Sequence, residues 1–243
     1  MSDSAASVDL RVVRTQDAPP DTVERLWHLM TEGERARCLR LVRDADRRTF
    51  AITRALVRHS LSRYGPTAPA DWRFVTNQHQ CPFVEPEQAG APPLQFNLSH
   101  TSGLVALAVT RGHRVGVDVE RVSRVVDLAV ADRHFARTEV RDLRALPVAE
   151  QPVAFFEYWT LKEAYIKARG MGLALPLGAF AFTLQPPRPP SIAFVPAFDD
   201  LPSRWQFWQT WPTPRHRLSL AIEREGDDLP VTLDDVSLDA LLP

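Results

Sequence analysis

The sequence predicts an α+β protein built of two similar α+β halves. Three observations predict it. Helical periodicity over 34–64 and again over 153–169 is followed each time by a short strand, at 72–76 and 180–184. Each of those strands leads through a proline-rich loop into later strands. The apolar run 104–109 has a counterpart at 218–222. Together they read as an internal duplication with its border near residues 111–114, giving an N-terminal half over 1–112 and a C-terminal half over 113–243. The cleft between two such units is the default place for a ligand.

In chain order, residues 22–32 and 34–64 read as helices. The second has apolar positions at Leu39, Val42, Phe50, Leu56, Val57 and Leu61 and stops at Gly65-Pro66. A strand over 72–76 and a Pro-bearing loop follow. Strands over 94–100 and 104–110 are joined by Thr101-Ser102-Gly103 in a hairpin, and a third, 114–120, follows the turn at Gly112-His113. Residues 137–146 and 153–169 are helical, the latter closed by Gly170 and Gly172. A strand over 180–184, a proline-rich loop over 185–202, and strands over 205–211 and 217–223 complete the pattern.

Composition narrows the class. With 243 residues and 44% apolar content there is material for a real core, so disorder as the dominant state is excluded. The net charge, 29 − 30 = −1, gives no basic footprint for nucleic acid. Cys38 and Cys81 are far apart and in no metal-like spacing, which points to a reduced compartment. The start Met1-Ser2-Asp3-Ser4 has no charged n-region followed by an apolar stretch, and the longest apolar run is too short to span a bilayer. A soluble cytoplasmic protein is expected. Of the 29 cationic residues only Lys162 and Lys167 are lysines, and both fall in one segment, either by chance in an arginine-biased chain or because those positions need a compact ammonium rather than a planar fork.

Four constellations can carry chemistry. In Gly116-Val117-Asp118-Val119-Glu120, Asp118 and Glu120 share one strand face, and two such carboxylates suit Mg²⁺ or Mn²⁺; the plainer alternative is an acidic face turned to water. Along 155–167, Leu161, Ala164, Tyr165 and Ala168 form one apolar stripe, with Phe156, Trp159 and Ile166 roughly opposite. Glu163 and Lys167, at i and i+4, lie on the Trp159 side, either as a routine surface pair or as partly desolvated functional charges. In Phe96-Asn97-Leu98-Ser99-His100, Phe96 and Leu98 face the core, while Ser99 and His100 either satisfy backbone groups or donate to a phosphate. Nine arginines between Arg35 and Arg63 make that stretch locally basic, as a solvated face or as a means of steering an anionic ligand or acidic partner.

Taken in order, these segments resemble the 4′-phosphopantetheinyl transferases of the Sfp type, in their K-E-A branch. Phe96-Asn97-Leu98-Ser99-His100 is similar to that family's F-N-x-S-H, and Gly116 through Glu120 to its G-x-D-x-E. Trp159 through Ala164, continuing by Lys167 to Gly170-Met171-Gly172-Leu173, is similar to its W-x-x-K-E-A…K-x-x-G-x-G-L. Arg133 through Glu139 resembles the stretch between the last two motifs. The likeness is close over about 94–184 and looser from Glu34.

The resemblance implies the family's pseudo-duplicated fold, a monomer with coenzyme A bound between the halves. It implies transfer of the phosphopantetheine arm to a serine of an acyl or peptidyl carrier protein, releasing adenosine 3′,5′-bisphosphate. On that reading Asp118, Glu120 and Glu163 hold Mg²⁺, and Lys167 and His100 contact the pyrophosphate. Ser99 lies toward the 3′-phosphate, Lys162 is a further coenzyme contact, and Glu163, directly or through a metal-bound water, is the base for the serine. Lys167 counts with Glu163 as catalytic. The family's G-K-P before F-N-x-S-H reads Gln80-Cys81-Pro82 here, so a phosphate-binding lysine is absent, and Arg37 or Arg58 is expected to replace it. A metal-dependent phosphodiesterase and a non-catalytic coenzyme- or carrier-binding module are the rival readings.

Overall fold

The computed structural model describes residues 6–79, 81–122, 126–172 and 175–242. Met1 to Ser4, Gln80 of the Gln80-Cys81-Pro82 segment and Leu173 of the glycine-rich ending lie outside the described residues. Two compact units divide the chain, Met1–Gly112 with Val231–Pro243, and His113–Pro230. The expected C-terminal half over 113–243 is therefore corrected: its last segment belongs with the first unit.

The first unit runs β1 (Val8–Arg14), α1 (Thr22–Arg25), α2 (Glu32–Arg40), α3 (Asp44–Leu61), β2 (Phe74–Thr76), β3 (Pro82–Val84), α4 (Pro86–Ala89), β4 (Leu94–Thr101) and β5 (Leu104–Arg111). The second runs β6 (Val115–Arg121), α5 (Ala129–His134), α6 (Arg137–Ala145), α7 (Gln151–Arg169), β7 (Phe180–Thr183), β8 (Ser191–Phe194), β9 (Trp205–Thr213) and β10 (His216–Glu223). Strand β11 (Val231–Asp235) then returns to the first unit.

In the first unit a four-stranded sheet has the order β11-β1-β5-β4. β1 pairs antiparallel with β5 and parallel with β11, which explains why the C-terminal segment groups here. Ala51, Ile52, Ala55 and Leu56 of α3 are fully buried in one core with Val105, Leu107 and Val109 of β5. The β4–β5 hairpin turns at Gly103, whose φ of 92° is a left-handed value that glycine adopts without steric cost.

The expected single helix over 34–64 is two helices. Thr31 caps α2, accepting from the Glu34 N–H at 3.2 Å while Glu34 accepts from the Thr31 N–H at 2.9 Å. The chain is extended at Leu41 and at Arg43. Asp44 and Asp46 favour a new helix start by their charge, and the Arg47 guanidinium donates to the Leu41 carbonyl at 2.8 Å. Leu39 and Val42, expected as apolar positions of that one helix, are 60% and 91% exposed, near the end of α2 and in the break after it. The expected helix over 22–32 is likewise shorter, α1 followed by one 3₁₀ turn, Trp27–Leu29.

In the second unit the sheet order is β6-β10-β9, all antiparallel, with β7 and β8 as a separate pair. α7 is buried along both apolar stripes, as its pattern predicts, and Gly170 closes it in the left-handed conformation, φ 62°. Its core holds Phe155, Phe156, Tyr165, Phe180, Phe182 and Trp205. β8 lies inside the segment expected to be only a proline-rich loop. Among the described residues no helix is long and apolar enough to cross a membrane.

Candidate active site

The second unit brings four of the expected residues together. On β6, Gly116, Asp118 and Glu120 share a face. That face meets α7, because a Cβ on Gly116 would lie 2.0 Å from the Ala164 carbonyl oxygen and 2.4 Å from the Ala168 nitrogen. Only a glycine lets strand and helix approach so closely. On β10, Ser219 stands opposite Asp118 and shares a 2.7 Å hydrogen bond with Thr160 of α7, both side chains being fully buried. Helix and sheet are thus joined by a side-chain bond at Thr160, before Glu163, and by close backbone approach at Ala164 and Ala168, after it.

Across this junction Lys167 Nζ donates to Asp118 Oδ1 at 2.7 Å and to the Val117 carbonyl at 3.2 Å. Asp118 is 5% exposed, so the reading of its face as an acidic surface turned to water is excluded. Glu120 and Glu163 are half-buried. Burial pushes the Glu163 carboxyl above its ordinary range, Asp118 and Glu120 add to that push, and Lys167 opposes it. Three carboxylates and one ammonium therefore feel one another.

Lys162 is not with them. Its ammonium, fully buried, makes an ion pair with Glu139 of α6 at 2.8 Å and donates to the Leu177 and Phe180 carbonyls, each at 2.8 Å. Three acceptors use all three N–H groups. Burial pulls this lysine down and pushes Glu139 up, and each partner opposes the shift of the other. A coenzyme contact for Lys162 is thereby corrected: no donor is left for a phosphate.

The remaining expected residues belong to the first unit. Ser99, 6% exposed, and His100, exposed, end β4, and Phe96 and Leu98 pack on the core as their alternation requires. Arg37 is exposed on α2, its guanidinium 5.8 Å from the centre of the Phe50 ring. Arg58 is 1% exposed, bonded to Glu34 at 2.8 Å and stacked over Phe74 at 5.0 Å. Its expected role toward a 3′-phosphate is corrected, since burial closes that guanidinium to solvent. Cys81 stands at the β2–β3 turn, held by the Asn77 side chain at 3.1 Å.

A divalent cation can be tested against this arrangement. Among the described residues no group of three or more His, Cys, Asp or Glu side chains is drawn close enough to hold one. The donors are nevertheless hard carboxylate oxygens on facing elements. Mg²⁺ is commonly bound by one or two carboxylates, water and substrate phosphates rather than by an all-protein cage. The residues fit that kind of site.

Comparison with known proteins decides the family. Residues 114–222 match the 4′-phosphopantetheinyl transferase superfamily, and residues 18–112 match the 4′-phosphopantetheinyl transferase N-terminal family. The 4′-phosphopantetheinyl transferase HetI of Nostoc sp. is 33% identical over 183 residues, 75% of this chain and 76% of that protein. The chain belongs to the 4′-phosphopantetheinyl transferase superfamily. The 4′-phosphopantetheinyl transferase Sfp of Bacillus subtilis is similar at 32% over 161 residues, 66% of this chain and 69% of Sfp. The protein is an enzyme that uses coenzyme A and transfers phosphopantetheine to carrier proteins, which sets aside the phosphodiesterase and the non-catalytic module. Sequence reasoning missed Glu139, whose only signal was its place in the stretch after Phe135, and missed that Gly116 is a contact point.

Proposed function

We propose that Glu163, Lys167, Asp118 and Glu120 form the catalytic centre of phosphopantetheine transfer. The observation that carries this reading is the Lys167–Asp118 bond of 2.7 Å across a junction that also holds Glu163 half-buried. The serine oxygen of the carrier bonds to the phosphorus that bears the pantetheine arm. The bond from that phosphorus to the bridging oxygen breaks, and its electron pair leaves on adenosine 3′,5′-bisphosphate. Glu163 accepts the serine proton, and its raised affinity for protons suits a base near neutral pH. Lys167 offers a charge-assisted donor to the pyrophosphate. Asp118 and Glu120, with Glu163, would hold Mg²⁺ or Mn²⁺, which when bound supplies neutralising charge at the phosphates.

Ser99 and His100 are proposed as phosphate contacts, and Arg37 as the replacement for the lysine absent at position 81. A locally basic α2–α3 region supports an acidic acyl or peptidyl carrier protein as partner. Cys38 and Cys81, far apart in the sequence and in no metal-like spacing, support a reduced, cytoplasmic setting, and action as a monomer goes with this reading. Incubating an apo carrier protein with coenzyme A, Mg²⁺ and enzyme should add one phosphopantetheine arm by mass. Glu163→Gln should slow that addition by about 10²-fold or more. Turnover unchanged by Glu163→Gln would place the base elsewhere.

A further inference from the structure

The Glu139–Lys162 pair lies outside this chemistry and is fully buried on both sides. Its bonds join three segments. Glu139 accepts from the Ala136 N–H at 2.9 Å and from the Phe182 N–H of β7 at 2.8 Å. Lys162 donates to Leu177 ahead of β7 and to Phe180 at its first residue, with the Phe180 ring 4.4 Å and the Phe135 ring 5.4 Å from its nitrogen. One pair therefore ties the start of α6, the middle of α7 and the entry to β7. Burying two charges is costly, and apolar residues of similar volume often serve stability as well or better. What apolar residues do not supply is direction.

Direction matters for α7 because it is apolar on both sides. Apolar packing on two sides selects the rotation about its own axis less sharply than directed bonds do. The Glu139–Lys162 pair adds such bonds to the one between Thr160 and Ser219. A rotation of about 10° carries a side-chain tip roughly 6 Å from the axis through about 1 Å. Misplacement by about 1 Å can cost about 10²-fold in rate. We infer that the Glu139–Lys162 pair is a positioning device that fixes the rotation of α7, and through it the placement of Glu163 and Lys167 against β6. Neither residue touches the substrate. The inference rests on the assignment of Glu163 and Lys167 to the catalytic centre.

The test replaces the pair in the full chain by Glu139→Leu with Lys162→Met, and compares melting temperature, KM for coenzyme A and kcat on an apo carrier protein. The expected result is a melting temperature at or above that of the parent, KM within about 3-fold, and kcat lower by about 10²-fold. A merely structural pair would move the melting temperature and leave kcat. Lys162→Arg keeps the charge, but a planar guanidinium does not match three convergent acceptors, so kcat should fall about 10-fold or more without rescue. Parent-like kcat in either variant overturns the inference, and failure of both to fold makes the pair a stability element and also overturns it. Glu163→Gln is run beside them. A slow Glu163→Gln next to a full-rate double variant refutes the positioning role alone, whereas a full-rate Glu163→Gln refutes the catalytic assignment on which it stands.

Discussion

Replacing Gly116 by alanine adds one methyl group where β6 and α7 meet at backbone distance. That Cβ would sit 2.0 Å from the Ala164 carbonyl oxygen and 2.4 Å from the Ala168 nitrogen, both backbone atoms of α7. No side chain can swing aside. Strand and helix must part by about 1 Å to reach even a 3.0 Å contact. A parting of that size stretches the 2.7 Å Lys167–Asp118 bond past 3.5 Å, where it no longer counts as one. Overpacking of this kind costs about 1–3 kcal/mol, or about 2–12 °C in melting temperature for a protein of this size. Because the displaced groups include Asp118 and Glu163, kcat should fall by about 10²-fold, more than the folded fraction does. Thermal unfolding together with the carrier-loading assay at 20 °C separates the two effects. A Gly116→Ala protein with parent melting temperature and parent kcat would refute the argument that backbone approach builds the site.

Arg37→Ala should raise KM for coenzyme A about 10- to 150-fold relative to 3′-dephospho-coenzyme A, the worth of one charged hydrogen bond; equal effects on both would remove Arg37 from the 3′-phosphate. Arg58→Ala should change both coenzymes equally and instead lower stability by roughly 3 kcal/mol, because it strips the 2.8 Å partner from Glu34; Arg54, 3.6 Å away, limits the loss. EDTA should abolish transfer, and Asp118→Asn should raise the Mg²⁺ concentration for half-maximal rate about 10-fold or more, read by titrating metal in the loading assay. Arg114 holds the Glu223 carboxyl below its ordinary range through two hydrogen bonds, so that contribution is present above the unfolded carboxyl pKa of about 4.3 and is lost as pH falls through the lower folded value. Urea titrations should accordingly find Arg114→Ala about 1 kcal/mol less stable at pH 7, with the difference shrinking as pH falls below about 4.

Elements whose reasons are local were legible in the sequence. The β4–β5 hairpin announces itself by its glycine turn, and α7 by its period and its closing glycine. What escaped depends on distant partners. β1 carries Asp9 and Arg11 among its apolar residues, and its place at the sheet centre follows from Asp9 meeting the Tyr64 hydroxyl at 2.6 Å and Arg11 meeting Ser60 at 2.8 Å. β11 pairs in parallel with a strand over two hundred positions earlier, and no periodicity records such a partner. The α2–α3 break was visible only as the acidic pair Asp44 and Asp46, which an arginine-rich helical pattern disguises. At the site, side-chain alternation placed Asp118 with Glu120 correctly. It could not tell a water-facing strand from one pressed against a helix, because that depends on what Gly116 meets.

The two lysines make the same point at the scale of one helix. Five residues at about 100° each set Lys162 and Lys167 roughly 140° apart around α7. The motif that contains them gives both the same chemistry, and sequence reasoning assigned both to the coenzyme. Their surroundings divide them. Lys162 meets two carbonyls and a carboxylate in a closed pocket, all at 2.8 Å, whereas Lys167 keeps 27% of its side chain exposed at the junction with β6. A compact ammonium with three rotatable donors suits both places, and the planar guanidinium used elsewhere in this chain suits neither. Retention of lysine at these two positions therefore has two separate causes. At Lys162 it is the geometry of convergent acceptors. At Lys167 it is the reach of an ammonium to both the Asp118 carboxylate and the Val117 carbonyl across the junction.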